Sequence, residues 1–223
     1  MCGRYNLITD TRALIDFFDL TRAVEVQPRY NIAPSQEIPA VRQTGNGREL
    51  TLLHWGLIPH WAKDRKFGYR TINARAEAVD SKPAFRSAFR YRRCLIPANG
   101  FYEWRQTKHG KQPYNIGPKD GGLMAFAGLW EHWTNENGDA LESCTIIVGE
   151  ATPELAKIHD RMPVILPPEH FTSWLDPGLR DTAQLKSLLD TRHVPPLESY
   201  PVSSRVNSPR NDDPECLHPI ATD

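Results

Sequence analysis

The chain has 223 residues, enough for one large domain that buries an ordinary core. Its 27 Lys and Arg equal its 27 Asp and Glu, so attraction to nucleic acid or to an acidic membrane has to come from a local patch. No apolar run approaches the roughly 20 residues of a membrane helix and no secretory pattern opens the chain, which predicts a soluble, cytoplasmic protein without membrane contact.

The first stretch is Met1-Cys2-Gly3-Arg4. A side chain as small as Cys2 lets the initiator methionine be trimmed, leaving an α-amine and a thiol on one carbon. Their ordinary pKa values of about 7.7–8.0 and about 8.5 keep both near-reactive at neutral pH. An aldehyde forms an imine with the amine, and the thiol then closes a five-membered thiazolidine. The competing reading is an ordinary disordered chain end. Cys94 and Cys144 lie in apolar runs and read as small buried hydrophobes, and no C-x-x-C pair points to zinc or a disulfide framework.

Thr9 or Asp10 can cap a helix reaching about Leu20, with Leu14 and Phe18 on its apolar face. Pro28 to Ser35 reads as a proline-bounded loop. Ile38–Val41 and Leu50–Trp55 read as a hairpin turned by Gly45-Asn46-Gly47. The loop from Trp55 to Lys63 holds Trp61 between His60 and Lys63, where an indole face can stack on a base. In Asn73-Ala74-Arg75-Ala76-Glu77 the polar residues alternate, so an extended backbone places Asn73, Arg75 and Glu77 on one face, a pattern suited to a cleft. Ser81 reads as the cap of a helix running to Arg90, and Lys82, Arg86, Arg90, Arg92 and Arg93 concentrate positive charge there.

After the apolar strand Cys94–Pro97 comes Phe101-Tyr102-Glu103-Trp104. Glu103 is the one acid in an aromatic run, either a proton-transfer group with a raised pKa or a side chain facing water. Runs at Tyr114–Ile116, Leu123–Trp130 and Ser143–Val148, separated by glycine turns, argue for a mostly antiparallel sheet that can curl into a barrel rather than for alternating βαβ units. Thr152 reads as the cap of a short helix ending near Ile158. His159-Asp160-Arg161-Met162-Pro163 follows, with His159 at a helix-to-strand junction where it can be structural or exchange protons. Helices are expected at Glu169–Trp174 and Thr182–Leu189, and from about residue 195 an irregular segment that wraps the domain and has a mobile end. No repeat, phosphate-cradling glycine loop or H-E-x-x-H motif is present, so no metal or cofactor is expected.

Six stretches in order resemble the SRAP family, the SOS-response-associated peptidases or abasic-site processing proteins. They are Met1–Arg4, Arg29–Pro34, Trp55–Pro59 with Trp61, Asn73–Glu77, Gly100–Trp104 and His159–Pro163. The resemblance implies a single α+β domain over 1–223 with a curved, barrel-like sheet, acting as a monomer on single-stranded DNA bearing abasic sites. It implies catalytic roles for Cys2 as nucleophile, Asn73 orienting the opened sugar, Glu103 shuttling protons and His159 assisting ring opening and reversal. It implies DNA contacts from Arg4, Asn31, Pro34, Trp61, Arg75, Lys82 and Arg161. Lys82 stands where the family pattern carries Arg, which keeps the charge without the bidentate fork. The family also implies thiol autopeptidase and lyase activity. Other classes remain open: an N-terminal-nucleophile amidohydrolase of the glutamine amidotransferase type, and a noncovalent single-strand reader.

Overall fold

The computed structural model describes residues 2–191 and 194–221. Met1, whose removal the aminothiol chemistry requires, lies outside the described residues. In chain order the elements are β1 (Tyr5–Leu7), α1 (Thr11–Phe18), β2 (Leu20–Ala23), β3 (Arg29–Ile32), β4 (Glu37–Thr44), β5 (Gly47–Trp55), β6 (Asn73–Arg75), α2 (Arg86–Tyr91) and β7 (Arg93–Ala98). There follow β8 (Gly100–Thr107), β9 (Gly110–Pro118), β10 (Met124–Thr134), β11 (Ala140–Glu150), β12 (Arg161–Pro163), β13 (Ile165–Leu166), α3 (Phe171–Leu175), α4 (Thr182–Ser187) and β14 (Leu197–Pro201).

Two sheets share the core. In one, β4 pairs with β5 and β7, β7 with β10, and β10 with β11. A parallel pairing of β11 with β5, Ser143 opposite His54 and Cys144 opposite Trp55, closes these five strands into a barrel. The other sheet runs β14-β9-β8-β1-β3. The fold is thus α+β, with few helices around a barrel-like sheet. Among the described residues no helix is long and apolar enough to cross a membrane.

Aromatic side chains weld the sheets together. Tyr5 of β1 meets Trp55 of β5 edge-on with ring centroids 5.5 Å apart and Phe126 of β10 at 6.0 Å, and Phe101 of β8 meets Phe126 at 6.1 Å. Edge-to-face pairs add about 0.5–1.5 kcal/mol each beyond the area they bury, so the short β1 is fixed by packing rather than by length. The chain crosses between sheets at Gly100. A Cβ there would stand 2.9 Å from Asn115 Oδ1 and 3.0 Å from Asn6 Nδ2, the two amides that hydrogen-bond across this point.

Several expectations are corrected. Asp10 does cap α1, accepting from the Ala13 amide, but the helix stops at Phe18 because Asp19 turns left-handed at φ 52°. The span Pro28–Ser35 contains β3, paired with β1. Ser81 does not cap a helix: its hydroxyl donates to the Ala78 carbonyl, and α2 starts only at Arg86, past Pro83, which lacks an amide donor. The segment after Thr152 makes one 3-10 turn, Leu155–Lys157. Glu169 lies in a 3-10 turn, Pro168–His170, ahead of α3, and α4 ends at Ser187. The C-terminal segment wraps the domain but is not simply irregular: β14 adds to β9, and 3-10 turns at Ser204–Asn207 and Pro214–Leu217 carry a strap against Arg4 and β3.

Candidate functional site

Cys2 enters the site on the ladder between β1 and β8. Tyr5 pairs with Phe101 and Asn6 with Gly100, and the Tyr102 amide donates to the Arg4 carbonyl at 3.0 Å. Continuing this antiparallel register past Arg4 carries Cys2 alongside the part of β8 that holds Glu103. The two side chains feel each other: burial first, and the Glu103 carboxylate second, push the Cys2 thiol well above its ordinary pKa. Glu103 is itself buried, and burial raises its carboxyl pKa, with His159 pulling the other way.

In the chain that carries Met1, Cys2 is 0% exposed and its Sγ sits 3.8 Å from the Arg4 carbonyl. Cys2 is therefore enclosed by the fold and is not part of a disordered chain end, because β1 packs into the seam between the sheets. His159 precedes β12, whose pairing with β11 sets Arg161 opposite Glu150. The Arg161 amide donates to His159 Nδ1 at 3.0 Å. That nitrogen cannot also give a proton to the Asp160 carboxylate 3.0 Å away, so the neutral ring carries its hydrogen on Nε2.

Asn73 opens β6, which lies parallel to β11 with Asn73 opposite Ile146. Its Nδ2 donates to the Ile72 carbonyl at 3.1 Å, while its Oδ1 is buried with no partner among the described residues. An unpaired buried acceptor is costly, and it is an open acceptor for an incoming amine or hydroxyl. The same Ile72 carbonyl accepts from the Trp55 indole at 2.9 Å, and Trp55 packs on Tyr5. Asn73 is thereby tied, through Trp55, to the strand that follows Cys2.

Asn73 also lines a groove of about 580 Å³ together with Trp61, Phe67, Arg70, Arg75 and Lys82. Trp61 is 49% exposed and rests edge-on against Phe67 at 5.3 Å, so one indole face stays available. Among the described residues no carboxylate pairs with Arg70, Arg75 or Lys82. Sequence reasoning missed Phe67 and Arg70, although Arg65-Lys66-Phe67-Gly68-Tyr69-Arg70 is the basic and aromatic interleaving that marks nucleic-acid surfaces.

The remaining expected DNA contacts are occupied within the protein. Arg4 Nη1 donates to the Val206 carbonyl at 2.6 Å and to Asn31 Oδ1 at 3.0 Å. Asn31 is 0% exposed, its Nδ2 shared among the carbonyls of Val206, Ser208 and Asn211, so it offers no surface to a phosphate. Pro34 is half-buried at the turn between β3 and β4. Arg161 is held by both oxygens of Glu77, at 2.9 and 2.7 Å. Glu77 thus belongs not to the row of Asn73 and Arg75 but to the turn after β6.

Fold and site describe a small barrel-like protein whose second residue is buried near an acid, Glu103, that His159 also influences. The chain belongs to the SOS response associated peptidase (SRAP) family, whose model matches residues 1–209. It is 47% identical over 221 residues to the abasic site processing protein YoaM of Bacillus subtilis, covering 97% of both chains. It is 34% identical to the abasic site processing protein HMCES of Gallus gallus, over 87% of this chain and 67% of that one. An X-ray structure of a protein from Bacteroides thetaiotaomicron has the same fold, with TM-score 0.87, 26% identity and 99% and 100% of the two chains covered.

Proposed function

We propose that this chain, acting as one domain over 1–223, processes abasic sites in single-stranded DNA by capturing the lesion's aldehyde on Cys2 once Met1 has been removed. The observation that carries the reading is the burial of Cys2 beside Glu103, whose proton affinity is raised, within electrostatic reach of His159. The freed amine attacks C1′ of the ring-opened sugar. The resulting carbinolamine loses water to give an imine, for which Glu103 supplies the proton. The thiol then adds across the C=N bond: sulfur bonds to carbon, the S–H proton passes to nitrogen through the Glu103 carboxylate, and a thiazolidine closes. A protonated thiol suits this order of events, because sulfur attacks last and on an activated carbon.

Asn73 Oδ1 accepts from the carbinolamine or from a sugar hydroxyl. His159 Nε2 donates to the ring oxygen as the sugar opens, and the same two proton carriers run the sequence backwards to release the DNA. Trp61 stacks on a base while Arg75 and Lys82 hold phosphates. Arg4 and Asn31 keep β1 in place, and Arg161 reaches phosphate when Glu77 lets it go. The buried, protonated thiol argues against a free thiol peptidase acting on other proteins, and leaves autoremoval of Met1 as the peptidase step.

Incubation with abasic and with intact single-stranded DNA, followed by a denaturing gel, tests this. The reading predicts a persistent band only with abasic DNA, lost in Cys2→Ala. Glutamine hydrolysis without such a band supports the amidohydrolase, and DNA retention only on native gels supports a noncovalent reader; either overturns the proposal.

A further inference from the structure

The arginines in and after α2 divide into two pairs. Arg92 and Arg93 are consumed by the fold: Arg92 Nη2 binds Glu131 at 2.7 Å and Ser87 Oγ at 3.1 Å, and Arg93 donates to the carbonyls of Trp174, Phe89 and Arg90 at 2.6, 2.8 and 2.7 Å. Arg86 and Arg90 are exposed. They stand one helical turn apart on the same face, where like charges repel, and among the described residues no carboxylate forms an ion pair with either.

These two arginines wall a second cavity, of about 540 Å³, with Ser81, Ser87 and Tyr91. Its one carboxylate, Asp80, is already held by Lys186 Nζ at 3.1 Å. Tyr91 is 46% exposed, with the Arg180 guanidinium 5.2 Å from its ring centre. Residues 81–87 form the ridge between this cavity and the groove that holds Asn73: Lys82 to Phe85 line the groove, while Ser81, Arg86 and Ser87 line the cavity. Between residues 61 and 93 ten Lys and Arg stand against three acidic residues in a chain whose net charge is zero, so this segment carries a concentrated positive field.

Two unpaired arginine forks, two hydroxyls and a half-exposed aromatic ring are the chemistry that binds a sugar-phosphate backbone. We propose that the Arg86–Arg90 cavity is a second DNA subsite, which takes the backbone phosphates flanking the lesion as the strand leaves the groove over residues 81–87. The inference rests on the nucleic-acid reading of that groove and extends the footprint beyond it.

The test uses undamaged DNA, so that no covalent step intervenes. Wild type and Arg86→Gln/Arg90→Gln are titrated by fluorescence anisotropy with a strand just long enough to fill the groove, and with the same strand extended by a single-stranded or a duplex arm. On extended DNA the double variant is expected to bind about ten-fold more weakly, with the slope of log K against log salt reduced by about 1.4 on a single-stranded arm. The short strand should bind both proteins equally. A loss confined to one arm identifies which DNA lies in the cavity. Equal loss on the short strand, or no loss on either extended DNA, overturns the subsite. Matching thermal melts and recovery of the salt slope in Arg86→Lys/Arg90→Lys exclude a folding defect. Should wild type form no crosslink with abasic DNA, the aldehyde-capture reading fails while these titrations still decide on the cavity.

Discussion

Glu103, the proton carrier of the proposed reaction, is placed where its charge costs stability. It sits in β8 between Tyr102 and Trp104, and burial lifts its pKa above the ordinary 4.5. The folded chain therefore binds this proton more tightly than the unfolded chain, so the favourable contribution is complete below pH 4.5 and is lost as pH rises through the folded value. Glu103→Gln should accordingly melt above wild type at neutral pH, with the gap closing toward pH 4.5, while its crosslinking rate falls about 10²-fold or more. A variant that melts lower at neutral pH would mean that the carboxylate is a net stabiliser. Trp61 offers the opposite case. Its exposed indole supports little of the core, so Trp61→Ala should leave the melting temperature nearly unchanged and weaken single-strand binding by about 1–3 kcal/mol in an anisotropy titration. The aromatic run around Glu103 and the polar flanks of Trp61 singled out both residues in the sequence, and the burial of the one and the exposure of the other fit those contexts. The burial of Cys2 was not legible, because it depends on the seam between two sheets rather than on neighbouring residues.

At the scale of elements, local signals succeeded where the chain folds on itself and failed where a distant partner decides. The β4–β5 hairpin could be read because Gly45-Asn46-Gly47 supplies its turn on the spot, with Gly47 at φ 116°. By contrast β3 lies between Pro28 and Pro34, and what makes it a strand comes from elsewhere. It pairs with β1, and the Asp212 carboxylate, some 180 residues on, accepts from the amides of Tyr30 at 2.6 Å and Asn31 at 2.9 Å. Likewise β14 hides in a Pro-rich tail and is a strand only because β9 offers it an edge. The same strap engages Arg4 and Asn31, two of the DNA contacts the resemblance implies: both donate to strap carbonyls. Asn31→Ala should leave several of these carbonyls short of a donor, cost about 2–3 kcal/mol in denaturant unfolding and slow crosslinking. Its affinity for undamaged single-stranded DNA should stay unchanged, whereas a phosphate ligand would lose affinity with a shallower salt dependence.

At the scale of the molecule, the closed barrel is a rigid base against which the β1–β8 sheet is pressed. Closure needs the parallel pairing of β5 with β11, strands nearly a hundred residues apart, and no local pattern in either announces it. The regular spacing of strand runs and glycine turns allowed an antiparallel sheet curled into a barrel, and the family resemblance pointed to the same barrel, but neither gave the strand pair that closes it. Closure also leaves little room inside. A Cβ at Gly128 of β10 would lie 2.9 Å from Cys94 Sγ and 3.2 Å from the Thr145 carbonyl, so Gly128→Ala should cost about 1–3 kcal/mol, read as a lower denaturant midpoint. An unchanged midpoint would mean that the barrel wall yields more easily than its packing indicates.

Everything functional turns on whether one residue gives both its amine and its thiol to the lesion. The direct measurement is mass spectrometry of the N-terminal peptide after reaction with abasic single-stranded DNA, digestion and treatment with a thiol alkylator, with no borohydride added. The account predicts a peptide that begins at Cys2, carries the sugar remnant less one water, and resists alkylation. A crosslinked peptide that keeps Met1, takes up the alkylator, or maps to any other residue would contradict it.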